Sequence, residues 1–325
     1  MRRFIYIIIL LSIILITACS KDTKQEEQID IEKREKEEID YQFSHNGQEV
    51  EIIYYFDYVI NYARLKNRNP DLDHDETFTE YVLNPFRDKV SLNDDTLEKF
   101  LPTSSQVEDL IKHVYDLDEK EERISHLIEE ALIHSIEVLP GDDISVYVFP
   151  VNPEDQFIIY NIEGISGASS FRKNNIILMV APTFTEERLK YTVAHEYNHL
   201  VNIENNGRKS RSSLLEAMIT EGKADAFAKM VYPEIRVPLT EALSEIEASA
   251  VLEKLRKNVD STDREIYRGF LYGGYRDIPR WSNYKIGYVI TNSFIENNPD
   301  ITILEWTKMD VEEIVNNSEY SHLIE

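Results

Sequence analysis

The stretch Thr192–Val201, TVAHEYNHLV, decides how this chain is read. It sets His195 and His199 four residues apart, with Glu196 directly after the first histidine. On an α-helix, positions i and i+4 stand about 40° apart on one face, so both imidazoles can reach one point. Glu196 projects about 100° round from His195, so it misses that point but can reach a water held there. Thr192, Val193, Tyr197, Asn198, Leu200 and Val201 are uncharged and no proline intervenes, which predicts a buried helix running from about Glu186. Two histidines in such a setting need partners, because unpaired polar groups are costly there. One reading satisfies them by hydrogen bonds inside a helical core. The other makes them ligands of one Zn2+, with Glu196 as general base on a zinc-bound water, the HExxH logic. Chance supplies HExxH in roughly one sequence in fifty of this length and composition, so the pentapeptide alone does not decide.

A catalytic zinc keeps three protein ligands and one open position. The next helical pattern, Ser213 to Val231, carries LLEAMITEGKADAFAKMV from Leu214 onward. Leu214, Met218, Glu221, Asp225 and Ala228 fall on one helical face, apolar except for the two carboxylates. Burying that pair would be expensive unless something positive lay opposite, and zinc with its histidines supplies it. Glu221 is the expected third ligand. Asp225, one turn on, can accept the N–H of a ligating imidazole and fix its tautomer; Asp225 as the ligand itself is the alternative. Glu216 shares a polar face with Ser213, Thr220 and Lys223, and is expected at the solvent surface.

The remaining sequence bounds the setting. A chain of 325 residues, 42% hydrophobic, has ample material for a core. A net charge of −25 argues against nucleic-acid binding, since nothing would neutralise phosphates. The lone cysteine, Cys19, excludes a disulfide within the chain. It ends the stretch MRRFIYIIILLSIILITAC, a basic start followed by an apolar run from Phe4 to Ile16 broken by Ser12, shorter than the roughly 20 residues of a membrane span. Leu15-Ile16-Thr17-Ala18-Cys19 resembles the lipobox of bacterial lipoproteins, which implies lipidation of Cys19; an uncleaved anchor is the alternative. Either way the bulk of the chain is expected at the outer face of the bacterial cell membrane.

Four segments are expected: a signal peptide over 1–18, a charged tether over 19–40, a helical region over 41–140 and a catalytic domain over 141–325. Val50–Ala63 and Glu122–Val138 show amphipathic helical spacing. Ile144–Val151, Phe157–Ile162 and Ile176–Val180 read as strands. From Leu239 onward the pattern is mostly helical, broken at Gly273-Gly274. The expected fold is α+β and predominantly helical, with a small sheet packed on the HExxH helix and the glutamate-bearing helix.

HEYNH followed by a glutamate and an aspartate on the next helix resembles the gluzincin zinc peptidases. The fuller layout, with a later glycine–tyrosine helix as in NYKIGYVI, resembles a bacterial family of predicted zinc-dependent proteases, over roughly residues 140 to 300. The metzincin pattern fails, because it needs Gly at 202 and His at 205, where this chain has Asn202 and Asn205. The gluzincin resemblance implies one Zn2+ per chain, a peptide or protein substrate, and a downstream tyrosine or histidine that stabilises the oxyanion. Tyr284 and Tyr288 are the candidates, with Tyr284 favoured; packing in an apolar core is their other reading. A strand within Tyr160–Val180 can offer its edge to an extended peptide, with Gly164 and Gly167 allowing close approach, or can form a hairpin with glycine turns. The competing function is a non-catalytic peptide-binding lipoprotein that retains the fold, and a third is a metal-free interaction protein.

Overall fold

In a computed structural model the described residues are 39–87, 89–90, 94–170, 174–206, 212–273 and 278–324. The signal-like segment, Cys19 and nearly all of the charged tether lie outside them, as does Gly274. What is described belongs to one unit, Lys36–Glu325. No helix in it is long and apolar enough to cross a membrane.

A five-stranded sheet runs in the order β1-β2-β3-β5-β4. Its strands are β1 (Tyr41–His45), β2 (Gln48–Tyr54), β3 (Ile144–Pro150), β4 (Ile165–Ser170) and β5 (Asn175–Val180). The inner strands β2, β3 and β5 are parallel, while β1 and β4 are antiparallel edges. Strands β3 and β5 are buried on both faces, which explains their nearly unbroken apolar sequences. Between β2 and β3 come α1 (Phe56–Arg68), α2 (His74–Phe78), a π-helical turn (Thr79–Leu83), α3 (Asn84–Arg87), α4 (Asp94–Phe100), α5 (Val107–Asp118) and α6 (Glu121–Val138). After β3 lies α7 (Gln156–Asn161), and after β5 come α8 (Glu186–Asn206), α9 (Leu214–Val231), α10 (Glu245–Arg256), α11 (Arg264–Tyr272), α12 (Ser282–Asn297), α13 (Ile303–Lys308) and α14 (Val311–Asn316). The fold is α+β and predominantly helical.

Helices α1 and α5 cover one sheet face, where Tyr55, Phe86, Tyr147 and Phe149 stack together. On the other face α6 and α8 pack, with Tyr54 Oη reaching Ser125 Oγ of α6 at 2.9 Å. Helix α8 is thereby buried nearly all round, as its uncharged flanks predict. Each fully buried Leu, Ile or Val in this core stabilises the fold by roughly 1.5–3 kcal/mol.

Two elements differ from the sequence reading. The expected helix Val50–Ala63 is strand β2 as far as Tyr54, and only then helix α1. A continuous apolar run matches helical spacing by default, and pairing to β1 and β3 on both sides decides for the strand. The expected strand Phe157–Ile162 is helix α7, because the Asp155 side chain caps it by accepting from Ile158 N at 3.0 Å. Strands β4 and β5 are antiparallel neighbours with β4 outermost, and their connection falls after Ser170 rather than at Gly164 or Gly167.

Candidate metal centre

Helix α9 begins with a capping box, in which Ser213 Oγ accepts from Glu216 N and Glu216 Oε2 accepts from Ser213 N at 2.8 Å. That contact occupies Glu216 away from the centre; the residue is half-buried rather than solvent-exposed. Lys223, expected on the same polar face, is buried, and its Nζ donates to the carbonyls of Thr307 at 3.1 Å and Met309 at 2.5 Å. Those carbonyls end α13, which has orphan acceptors to satisfy. Asn198 of α8 reaches the same helix, donating to Thr307 Oγ1 at 3.2 Å.

With α9 so fixed, its carboxylate face meets α8. His195 Nε2 and His199 Nε2 are 3.1 Å apart, and Glu221 Oε2 lies 3.3 Å from the first and 3.5 Å from the second. A tetrahedral zinc with bonds of 2.0–2.2 Å has ligand–ligand edges of about 3.3–3.6 Å. The three donor atoms therefore fit one face of such a site, and the two-histidine, one-glutamate donor set suits it chemically. Among the described residues they are the group of three or more metal-capable side chains that converges. His199 and Glu221 are half-buried, so the face opens on one side.

Behind His195 stands Asp225, fully buried, its Oδ1 accepting from His195 Nδ1 at 3.1 Å and from Tyr191 Oη at 3.0 Å. An N–H on Nδ1 leaves the Nε2 lone pair facing the convergence point. Asp225 thus points at the imidazole and not at the ligand triangle. Burial, the largest influence on His195, pulls its pKa down, but the charge and hydrogen bond of Asp225, then Glu221, carry it up to about 10. Burial pushes Glu221 up, and the charges and hydrogen bonds of His199 and His195 overcome this and hold it well below the usual carboxylate range. These carboxylates favour a positive charge at the imidazoles, and a metal cation at the convergence point would take the place of that proton.

Glu196 is buried against the edge strand. Ser169 of β4 donates from Oγ to Glu196 Oε2 at 2.6 Å. A Cβ at Gly167 would come within 2.7 Å of Glu196 Oε1, so glycine is what lets the strand approach. Tyr284, half-buried on α12, has its ring centroid 6.3 Å from that of His195. Burial first, then Glu221, raises its hydroxyl pKa well above the ordinary tyrosine value. Tyr288 sits one turn further along; after burial, the charges that raise it are those of Asp225 and Glu296. Ser169, Tyr191 and Tyr267 were missed in the sequence. Tyr267 is raised by burial and then by Glu221, and Asn283 Nδ2 donates to its Oη at 3.3 Å.

Fold and site together define a predominantly helical α+β protein with an HExxH helix and a downstream glutamate helix. The chain belongs to the family described as Predicted Zn-dependent protease (DUF2268), which matches residues 124–316, more than half of its length. No curated protein and no solved structure matches it.

Proposed function

We propose that this protein is a zinc-dependent peptidase, lipid-anchored at the outer face of the cell membrane through Cys19. The convergence of His195 Nε2, His199 Nε2 and Glu221 Oε2 within 3.1–3.5 Å is the observation that carries the reading. Zn2+ held by these three residues would supply Lewis acidity, lowering the pKa of a water at its open position and polarising a carbonyl. Asp225 orients His195. Glu196 takes the water's proton on its carboxylate and delivers it to the leaving amine. The neutral Tyr284 hydroxyl donates a hydrogen bond to the oxyanion. An extended substrate lies along the outer edge of β4, whose outward N–H and C=O groups have no strand beyond them among the described residues. The apolar start and Leu15–Cys19 support the anchor.

The test is metal content and hydrolysis of a broad peptide library by the parent and by Glu196→Gln. One zinc per chain in both, with turnover only in the parent, is expected. Zinc in both and turnover in neither would favour the peptide-binding lipoprotein. No zinc in either would end the metal reading. Incorporation of labelled lipid in the parent and not in Cys19→Ala checks the anchor.

A further inference from the structure

Arg188 lies on α8 two turns before His195, and only 7% of it is exposed. Arg188, Tyr191 and His195 stand at i, i+3 and i+7, one face of the helix. Asp225 meets that face from α9, and Tyr191 and His195 both donate to its Oδ1. Asp225 Oδ2 is buried without a hydrogen-bond partner, and so are Arg188 Nε and Nη1. The Arg188 guanidinium carbon sits 5.8 Å over the Tyr191 ring, a cation–π contact on the residue that itself touches Asp225.

A buried guanidinium is costly unless an opposite charge or an aromatic face is close. Burial lowers the Arg188 pKa, and the charge of Asp225 is the largest influence against it, ahead of Tyr191, Glu163 and Tyr284. Of the two carboxylates, Glu163 is half-buried and accepts from Thr185 Oγ1 at 2.8 Å, whereas Asp225 has no water-facing surface at all. Tyr191 stands against both Arg188 and Asp225, its ring under the guanidinium and its hydroxyl on Asp225 Oδ1.

We propose that Arg188 is a positioning residue for the metal centre: its guanidinium, seated over the Tyr191 ring, braces through Tyr191 the Asp225 carboxylate that turns His195 Nε2 toward the metal. This rests on the reading of His195, His199 and Glu221 as ligands. It assigns a purpose to an arginine that neither touches the ligand triangle nor reaches the surface.

The experiment is zinc affinity, by competition with a chromophoric chelator, in the full chain. The proteins are the parent, Arg188→Lys, Arg188→Gln, Asp225→Asn and the double variant Arg188→Gln with Asp225→Asn, each checked for folding by circular dichroism. Arg188→Gln is expected to weaken zinc binding by about 10-fold or more, the size of effect that outer-shell partners exert. Arg188→Lys should recover most of that loss. With Asp225→Asn already present, Arg188→Gln should cost nothing further. Parent-like affinity in a folded Arg188→Gln would overturn the proposal while leaving the ligands in place. An equal loss in the Asp225→Asn background would overturn it too, as an effect not routed through Asp225. Should Arg188→Gln not fold, Arg188→Met serves in its place, and failure of both would make the arginine a folding determinant only. A parent that binds no zinc would remove the metal reading and this inference with it.

Discussion

Tyr284 and Tyr288 stand one turn apart on α12, and their surroundings separate them. Tyr284 is charge-coupled to Glu221, Asp225 and Glu196 together, whereas Tyr288 feels Asp225 and Glu296. A hydroxyl whose pKa lies well above 10 stays protonated through the working pH range and can only donate to an oxyanion. Tyr284→Phe is expected to lower kcat by about 100-fold, the cost of one oxyanion donor, with KM little changed. Tyr288→Phe should leave kcat close to the parent, and steady-state kinetics on one peptide compares the two. The residues legible in the sequence were those joined by helical spacing: His195 to His199, and Glu221 to Asp225. Ser169, Tyr191 and Arg188 were not legible as partners of the site. Ser169 meets Glu196 only because β4 pairs with β5, and the other two act through an α8–α9 contact that no local pattern encodes.

At the scale of elements, the site depends on how closely α9 and α12 cross. A Cβ on Gly222 would run into the carbonyl of Gly287, and one on Gly287 into the carbonyl of Met218. Backbone thus lies against backbone, with Glu221 beside one glycine and Tyr284 one turn from the other. On an exposed helix, Gly→Ala would stabilise by about 1 kcal/mol. Here the added methyl has no space, and overpacking costs about 1–3 kcal/mol. Gly222→Ala should therefore lower the urea midpoint, and it should reduce kcat with Tyr284 present but not further in Tyr284→Phe. Additive losses in kcat would sink this account of the crossing. Helices α8 and α9 were legible from uncharged flanks and apolar helical spacing. Strand β2 and helix α7 were misread because their short apolar runs fit both periods, and pairing in one case and the Asp155 cap in the other made the choice.

Across the whole molecule, the end of α8 is tied to the approach to β3. Tyr197 Oη donates to Leu139 O at 2.7 Å, Gly141 packs closely on Val201 and Tyr197, and Glu204 faces Asp142. Burial first, then the Asp142 charge, pushes the Glu204 pKa up to about 7. A carboxyl raised on folding favours the fold while protonated. Its contribution is complete below about pH 4.5 and is lost as pH rises through about 7. Glu204→Gln should raise Tm at pH 8 and leave it nearly unchanged at pH 4.5, as read from melts across that range. Equal gains at both pH values would show that repacking, not ionisation, was responsible. What the sequence determined by itself was the donor set: a histidine pair with a glutamate beside it, and two carboxylates on one face of the next helix, because α-helical geometry converts spacing along the chain directly into direction. Only the tertiary structure decided that these faces converge to 3.1–3.5 Å, that β4 is the outermost described strand and lies against Glu196, and that the Tyr284 ring stands beside His195. Those depend on sheet order and on a glycine-to-glycine helix crossing, contacts between segments far apart in the chain that side-chain packing selects jointly.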